Sequence, residues 1–377
     1  MRESHKQDLM KDGIERRLFV AATNQNDGKT TCSLGFVKGF SRIGHSVGFI
    51  KPVGQRLMTV DNKAVDEDFL LIHQSCKLGC SLAEVDSLAV TSDFTRRFLD
   101  DPDSLYPAME RKVLDCCALA ARGNDLVVIE GTGHAGVGSV FRLSNARVAA
   151  LLGAKVVMVT LGGIGRPVDE VAVNRSLFEK EGVPVVGVVV NKVIPDKLEQ
   201  TRKYLSAAFE ELGLPLLGVI PYAPPLSYPT LQQIASATEA QVLNGEERLS
   251  NTTARVVVGA MTPPNALKHI EDKTLLVVPG DRDDVVLAVM SMHLLSRDIQ
   301  LSGIVFTGGI QPQEETMELI RRTDIPVLAV DADTYETASR ISDILVKIRI
   351  SDQEKIELAC NLVRRHVDFG QLWDLLA

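Results

Sequence analysis

Short runs of β-branched and aliphatic residues recur along the first 220 residues, and helix-length segments separate them. This alternation predicts βα units around a largely parallel sheet. The runs are almost entirely apolar, as expected of strands that helices cover on both faces. The predicted strands are 17–21, 46–50, 125–129, 155–160, 185–190 and 215–220, and the predicted helices are 30–43, 104–122, 145–152, 168–181 and 197–212.

Four prolines within nine residues, from Pro221 to Pro229, interrupt this pattern, and a polar segment follows as far as Asn251. Such a change predicts a domain junction. The alternation then restarts on a smaller scale and predicts a second α/β domain. Its predicted strands are 255–260, 274–278, 304–307 and 327–330, and its predicted helices are 265–270, 284–296, 314–322 and 334–348. The predicted division is therefore 16–222, a linker at 223–252, a second domain at 253–350 and a helical tail at 351–377.

The tail carries apolar residues at Ile356, Ala359, Val363 and Val367, a spacing that predicts one apolar helix face leading toward Trp373. We expect this face to pack on the tail's own domain. Docking to a partner or to a second copy of the chain is the alternative.

The charge pattern narrows the classes of partner. The net charge is −8 and no block of like charge occurs, whereas a nucleic-acid binder needs a basic stripe. The segment 1–13 is densely charged and unlike a secretory signal, and the apolar runs are too short to span a membrane. The six cysteines lack zinc-site spacing. We expect a cytoplasmic protein that binds neither nucleic acid nor membrane.

The first predicted strand runs directly into Thr23-Asn24-Gln25-Asn26-Asp27-Gly28-Lys29-Thr30-Thr31, which opens a helix. Apart from Thr23 in the first glycine position, this matches the phosphate-loop pattern G-x-x-x-x-G-K-[ST]. Backbone N–H groups at a helix N-terminus bind anions, the lysine reaches the phosphates and the hydroxyl binds Mg²⁺. An ordinary strand-turn-helix connection is the alternative. The predicted phosphate-binding residues are Asn26, Asp27, Gly28, Lys29, Thr30 and Thr31.

Acidic and basic side chains follow two further strands. Glu130 ends the run 125–129, Lys51 follows the strand 46–50, and Asp68 comes shortly after it. Carboxyl ends of parallel strands share one sheet edge, where ligands bind, and a phosphate loop needs a second acid for Mg²⁺. The alternative is that these acids are solvated loop residues.

These motifs, in this order, resemble those of dethiobiotin synthetase and the related cobyrinic acid a,c-diamide synthases. In dethiobiotin synthetase the phosphate loop also begins with Thr. The matching motifs are Thr23-x-x-x-x-Gly28-Lys29-Thr30, Lys51-Pro52-Val53, Asp68, Val128-Ile129-Glu130-Gly131 and Val189-Val190-Asn191.

The resemblance implies a P-loop NTPase fold that binds ATP and Mg²⁺, with Lys29 on the phosphates. It implies that Thr30, Asp68 and Glu130 hold the metal. It further implies that Asn191 contacts the adenine and that Lys51 faces a substrate anion. Lys29 and Lys51 are then the candidate catalytic residues.

Two positions depart from dethiobiotin synthetase. Asn26 stands where the family has an acid, with Asp27 one place later, and Gln55 stands where it has a serine. Both changes argue against a diamino-acid substrate and its carboxylation. No segment resembling a glutamine amidotransferase follows, which argues against a diamide synthase.

The second domain carries Asp281-Arg282 and Thr307-Gly308-Gly309, which resemble the two clusters that name the DRTGG domain. Segments 131–141 and 162–170 resemble the N-terminal, non-catalytic part of long phosphotransacetylases, where the same two domains occur in this order. The resemblance covers about 17–350. We expect no phosphotransacetylase activity from this chain by itself, because the 27 residues after 350 are too few for the acetyl-transferring domain.

Both DRTGG clusters follow strands, so they can meet at one sheet edge. A glycine pair permits close backbone approach, and an Asp/Arg pair can recognise a polar ligand. Asp281, Arg282, Thr307, Gly308 and Gly309 are therefore candidates for a regulatory ligand site. The alternative is a structural corner in which Asp281 caps the next helix and Arg282 pairs locally.

Two functions remain. The first, which the departures at Asn26 and Gln55 favour, is a MgATP-binding regulatory or sensor protein with slow ATPase turnover. The second is an ATP-dependent carboxylase or ligase acting on an unidentified small acid or amine; a scaffold without turnover is a third reading. The expected partners are a nucleotide, a small metabolite and a second copy of the chain. We expect the homodimer to form through the DRTGG domain, whose small sheet buries little surface alone.

Overall fold

The computed structural model describes residues 16–60, 62–80, 87–91, 93–295 and 299–377, so the segment 1–13 lies outside the described residues. Two compact units divide the chain. The first comprises the chain up to Tyr222 together with Gln353–Ala377, and the second is Ala223–Asp352. Among the described residues, no helix combines the length and apolar character that crossing a membrane requires.

The first unit alternates strands and helices along the chain. In order its elements are β1 (Arg16–Ala22), α1 (Lys29–Arg42), β2 (Val47–Ile50), β3 (Val53–Gly54), β4 (Leu57–Val60), β5 (Lys63–Asp66), α2 (Glu67–Cys76), β6 (Leu88–Ala89), α3 (Phe94–Asp100), α4 (Pro102–Ala121), β7 (Leu126–Glu130), α5 (Asn145–Leu151), β8 (Lys155–Leu161), α6 (Gly165–Lys180), β9 (Val185–Val193), α7 (Leu198–Glu211) and β10 (Leu216–Pro221).

Six of these strands form one parallel sheet in the order β10-β9-β8-β1-β7-β2. They are the six strands that the apolar runs predict, so the parallel α/β fold is confirmed. β1 and β7 are buried along almost their whole length, as sequence runs without polar alternation require. In this order β7 and β2 lie on one side of β1, and β8 lies on the other. This reversal of strand order next to β1 marks the ligand-binding edge of such sheets.

Several short elements of this unit were absent from the sequence interpretation. β4 and β5 form an antiparallel hairpin, and β3 pairs with β6 over two residues. The helices α2 and α3 were also missed. Two-residue strands and a mostly exposed hairpin contain no continuous apolar run, so hydrophobic patterning does not identify them.

The second unit is built around a smaller sheet. Its elements are α8 (Leu231–Thr238), β11 (Gln241–Asn244), β12 (Arg255–Val258), α9 (Pro263–Ala266), β13 (Thr274–Pro279), α10 (Asp283–Leu295), β14 (Gly303–Thr307), α11 (Glu314–Arg321), β15 (Val327–Ala329) and α12 (Thr334–Ser342). The sheet order is β11-β15-β14-β13-β12, and only β11 runs antiparallel to its neighbour.

The segment 223–252, predicted as a linker, contains α8 and the edge strand β11 of this sheet. Thr230 and Gln233 form a capping box that starts α8. A four-residue polar edge strand has no apolar run, which explains why the segment resembles a linker. The predicted helix 334–348 ends at Ser342, and residue 296 of the predicted helix 284–296 lies outside the described residues.

The tail forms α13 (Gln353–His366) and α14 (Phe369–Leu375), and both belong to the first unit. The apolar face of the tail was expected to pack on the tail's own domain. In the structure it packs on α1 of the first unit instead. Gly35 and Gly39 of α1 allow this close approach. A Cβ atom at Gly35 would lie 2.3 Å from Cβ of Val363, and one at Gly39 would lie 2.2 Å from the Phe369 ring.

Aromatic contacts secure the end of the tail. The Phe369 and Phe40 rings lie 5.0 Å apart, edge to face. The Trp373 and His45 rings stack with their centroids 3.5 Å apart. The guanidinium group of Arg16, in β1, lies 4.0 Å from the centroid of the Trp373 ring. The apolar stripe of the tail therefore completes the hydrophobic packing around α1.

We predict that Gly35→Ala destabilises the chain. The added methyl group would force Val363 and α13 away from α1, and overpacking of this kind costs roughly 1–3 kcal/mol, which exceeds the ~1 kcal/mol gain in helix propensity. Urea unfolding of the full chain measures the difference.

Gly165→Ala is the matched control, because Gly165 begins α6 and a Cβ atom there meets nothing within 4 Å. It should leave the free energy of unfolding unchanged or slightly increased. Equal stability of the Gly35 variant and the wild type would contradict the close packing of α13 on α1.

Candidate functional site

The backbone of the loop between β1 and α1 requires a glycine at position 28. Gly28 has a φ of 103°, in the left-handed region, and a Cβ atom there would lie 2.0 Å from Nδ2 of Asn191. The same Nδ2 donates a hydrogen bond to the carbonyl oxygen of Asp27 at 2.9 Å. Asn26 also has a positive φ, of 65°, and its carbonyl accepts from Lys192. The end of β9 therefore holds the loop in place.

The structure explains why a threonine, Thr23, occupies the first glycine position of the loop pattern. Its hydroxyl lies 2.8 Å from Oδ2 of Asp27, and the same carboxylate oxygen accepts from the backbone N–H of Asn24 at 2.7 Å. Asp27 is 1% exposed. The Asp27 side chain thus braces the loop from within, a role that the sequence interpretation did not foresee.

Lys29 begins α1 and is buried. Its ammonium group donates to the carbonyl oxygen of Gly133 at 3.0 Å and to that of Asn24 at 3.4 Å. Burial lowers the pKa of Lys29, although the nearby Glu130 opposes this effect. The ammonium group therefore lies between the phosphate loop and the segment after β7, and its two hydrogen bonds go to carbonyl groups.

Thr30 and Glu130 meet across the β1–β7 pair. The Thr30 hydroxyl donates to Oε1 of Glu130 at 3.0 Å. Glu130 is 2% exposed, and burial together with the Asp68 carboxylate raises its pKa to about 7, against the opposing effects of Lys51 and Lys29. Two of the predicted metal-binding groups are thus in direct contact.

Lys51 lies among three carboxylates. Its ammonium group is 3.0 Å from Oδ1 of Asp66, forms a close ion pair with Asp68 and lies 3.9 Å from Oε1 of Glu130. Burial alone would lower the pKa of Lys51, but Glu130, Asp68 and Asp66 together raise it. Lys51 is therefore a charged group that neutralises this cluster, and the substrate-anion contact implied by the resemblance stays a prediction.

The donor set fits a hard divalent cation. Three carboxyl groups lie beside two ammonium groups, and because the pKa of Glu130 is raised to about 7, a net negative charge develops only as Glu130 loses its proton. Oδ2 of Asp66 and Oε2 of Glu130 are buried and accept no hydrogen bond. Within the described ranges, no group of three His, Cys, Asp or Glu side chains is placed to hold a metal by itself. Mg²⁺ characteristically takes one or two carboxylates and fills its remaining positions with water and phosphate oxygens.

Sequence reasoning missed three supporting side chains. Asp66 caps α2, accepting from the backbone N–H groups of Asp68 and Phe69. Asn145 binds the loop after β7 through the backbone N–H and C=O of Thr132 and the carbonyl of His134, and Asn174 binds Thr23 in a similar way. The position of Asp66, directly before Glu67-Asp68 at a helix start, was a detectable signal for a helix cap. Nothing in the sequence pattern identified the two asparagines.

The two DRTGG clusters meet at the carboxyl edge of the second sheet. Pro279 of β13 pairs with Thr307 of β14, and a Cβ atom at Gly280 would lie 1.9 Å from the carbonyl oxygen of Ile310. Arg282 donates to the carbonyl groups of Gly259 and Met261 and pairs with Asp284. Its partner is thus Asp284 and not Asp281.

The remaining DRTGG residues are also engaged locally. The backbone N–H groups of Gly308 and Gly309 donate to Ala332 and Val330, and the Thr307 and Thr334 hydroxyls lie 2.7 Å apart. Asp281 is exposed. These contacts match the structural-corner alternative for Arg282, and a regulatory ligand at this edge stays a prediction.

A parallel sheet with this loop between its first strand and helix defines the first unit as a P-loop α/β domain. The family model described as AAA domain matches residues 16–230, more than half of the chain, and that described as DRTGG domain matches residues 233–344. The chain therefore belongs to this AAA domain family and carries a DRTGG domain after it.

Two curated relatives share both regions. Phosphate acetyltransferase of Nitratidesulfovibrio vulgaris is 27% identical over 368 residues, covering 95% of this chain and 51% of the relative. Phosphate acetyltransferase of Pseudomonas putida is 29% identical over 374 residues, covering 94% and 51%. The chain spans about half the length of these relatives. The resemblance to the N-terminal part of long phosphotransacetylases is confirmed.

Among solved structures, the septum site-determining protein MinD of Pyrococcus horikoshii, complexed with Mg-ADP, is 16% identical. The similarity covers 56% of this chain and 83% of that one, with a TM-score of 0.35.

The raised pKa of Glu130 predicts a pH-dependent stability. A carboxyl group that binds its proton more tightly in the folded chain stabilises the fold below its unfolded pKa. That contribution is lost as the pH rises through the folded value, here about 7. Without divalent cations, Glu130→Gln should therefore gain stability relative to wild type between pH 5 and pH 8, by at most about 3 kcal/mol.

Urea unfolding at both pH values in EDTA measures this difference. Glu318→Gln, on the exposed face of α11, is the control and should show no change with pH. A Glu130→Gln effect that is the same at pH 5 and pH 8 would contradict the buried, ionisable character of Glu130.

Proposed function

We propose that the first unit binds MgATP at the loop between β1 and α1, and that the chain acts as a nucleotide-responsive regulatory protein. The observation that carries this proposal is the convergence of the Lys29 ammonium group, the Thr30 hydroxyl and the Glu130 carboxylate at the N-terminus of α1. Backbone N–H groups at a helix N-terminus and a lysine together form a phosphate site.

Thr30, Glu130 and Asp68 are the residues that would hold Mg²⁺. The metal would supply positive charge to the β- and γ-phosphates. Support comes from the direct Thr30–Glu130 hydrogen bond and from the unpartnered oxygen of Glu130. Lys51 would remain beside the metal as a counter-ion to Asp66 and Asp68.

Asn191 has two roles in this proposal. Its side-chain nitrogen supports the loop through Asp27, and the resemblance implies an adenine contact in addition. Asn26, Asp27, Gly28 and Thr31 supply loop backbone to the phosphates. The adenine contact and the homodimer through the DRTGG domain stay predictions.

The environment of Lys51 favours a sensor over a carboxylase or ligase. In a ligase, Lys51 would have to attract a substrate anion. Here three carboxylates lie within 3.9 Å of its ammonium group and outnumber its single charge. To bind a substrate anion, Lys51 would have to give up its ion pairs with Asp66 and Asp68.

We predict that Lys29→Ala abolishes measurable ATP binding. Each charge-assisted hydrogen bond to a phosphate contributes roughly 1.5–3 kcal/mol, so the loss of contacts to two phosphates weakens binding by more than about a hundredfold. Calorimetric titration of the full chain with MgATP measures the affinity.

Lys180→Ala, at the exposed end of α6, is the matched control and should bind ATP as the wild type does. Glu130→Gln should retain partial binding with a weaker dependence on Mg²⁺. Wild-type affinity in a folded Lys29→Ala chain would refute the phosphate-loop assignment.

We further predict slow ATP hydrolysis that changes little across a panel of small acids and amines. A sensor needs no large rate enhancement, whereas a ligase couples hydrolysis to its substrate. Phosphate release is measured with and without each compound. Stimulation of many-fold by one compound, absent in Lys29→Ala, would establish the ligase alternative.

A further inference from the structure

A second cavity lies in the first unit, away from the phosphate loop. Its volume is about 530 Å³, and its walls come from the C-terminal ends of α1 and α2 and from α13. Pockets that bind metabolites commonly have volumes of roughly 300–1,000 Å³. At a rise of about 1.5 Å per residue, the lining residues Lys38 and Arg42 lie about 14 Å and about 20 Å along α1 from Lys29.

The charges lining this cavity are strongly biased. Lys38, Arg42, Lys77 and Arg364 line it, and Glu357 is the only acidic residue among the lining side chains. Among the residues that the structure describes, none of the four cations forms an ion pair with a carboxylate. A net excess of three positive charges at one cavity is notable in a chain whose total charge is −8.

Helix ends explain part of this bias but not all of it. Cations at C-terminal turns are favoured by the helix dipole, and Arg42, Lys77 and Arg364 all occupy such positions. The dipole does not account for Lys38, which lies before the last turn of α1.

The two thiols in the wall do not counteract the positive charge. Burial raises the pKa of Cys76 to about 12 and raises that of Cys360 as well, so both are neutral at physiological pH. Arg364 donates to the side-chain oxygen of Asn361 at 3.3 Å, which leaves its other guanidinium donors for an anion. Arginine forks match phosphate oxygens in geometry as well as in charge.

We propose that this cavity is a second anion site that binds a small metabolite carrying one or two phosphate groups. Arg42 and Arg364 contact the phosphate, and Lys38 and Lys77 supply further charge. The site is distinct from the proposed MgATP site and does not depend on it.

The test uses inorganic pyrophosphate as the probe. Because pyrophosphate would also bind the phosphate loop, it is titrated by calorimetry into the full chain carrying Lys29→Ala. We expect one binding event per chain. Arg364→Gln in the same background should weaken it by roughly tenfold or more, since one charge-assisted contact is lost.

Arg365→Gln is the matched control, because it removes the same charge from the next position of α13 but does not line the cavity. It should change the affinity less than twofold. Equal weakening by Arg364→Gln and Arg365→Gln would overturn the proposal in favour of diffuse charge attraction. No binding of pyrophosphate at millimolar concentration would overturn it outright.

Two further measurements extend the test to a second arginine and to a second anion. Arg42→Gln, on α1, should weaken binding as Arg364→Gln does, and covers the case in which the α13 variant fails to fold. Citrate, a polyanion without phosphate, is the comparison ligand, and we expect it to bind more weakly than pyrophosphate. Equal affinity for citrate would overturn the assignment to phosphate.

Discussion

Charge compensation beneath the phosphate loop is the constraint on which the first unit depends. Lys29 and Lys51 are buried with Asp66, Asp68 and Glu130, and none of these charges could be buried alone without a cost of several kcal/mol. The ends of β2, β5 and β7 and the start of α2 must therefore come together for any of them to be tolerated.

The second constraint is the close packing of the tail on α1. Gly35 and Gly39 let Val363 and Phe369 approach the helix that carries the phosphate loop at its N-terminus. The chain leaves the first unit after Tyr222 and re-enters it at Gln353, so the DRTGG unit is an insertion connected at both of its ends. A single helix, α1, thus contributes to the loop, to the contact with the tail and to the basic cavity.

An element of this fold could be predicted when its sequence contains a continuous apolar run. The six strands of the first sheet were predictable because strands buried on both faces are continuous apolar runs. The hairpin of β4 and β5, the edge strand β11 and the two-residue pair of β3 and β6 carry no such run, and they were missed. Patterning also identified the apolar face of the tail, but a stripe does not specify which surface covers it.

Local chemistry in the sequence determined the loop, its lysine and hydroxyl, and the acid at the end of β7, because a phosphate site uses a few residue types at fixed spacing. Only the tertiary structure decided the partners of these groups. Asp27 braces Thr23, Asn191 holds Gly28 in place, and Lys51 pairs with three carboxylates from separate elements. Such contacts join residues up to 164 positions apart, and their distances depend on strand order and helix packing, which short-range sequence patterns do not encode.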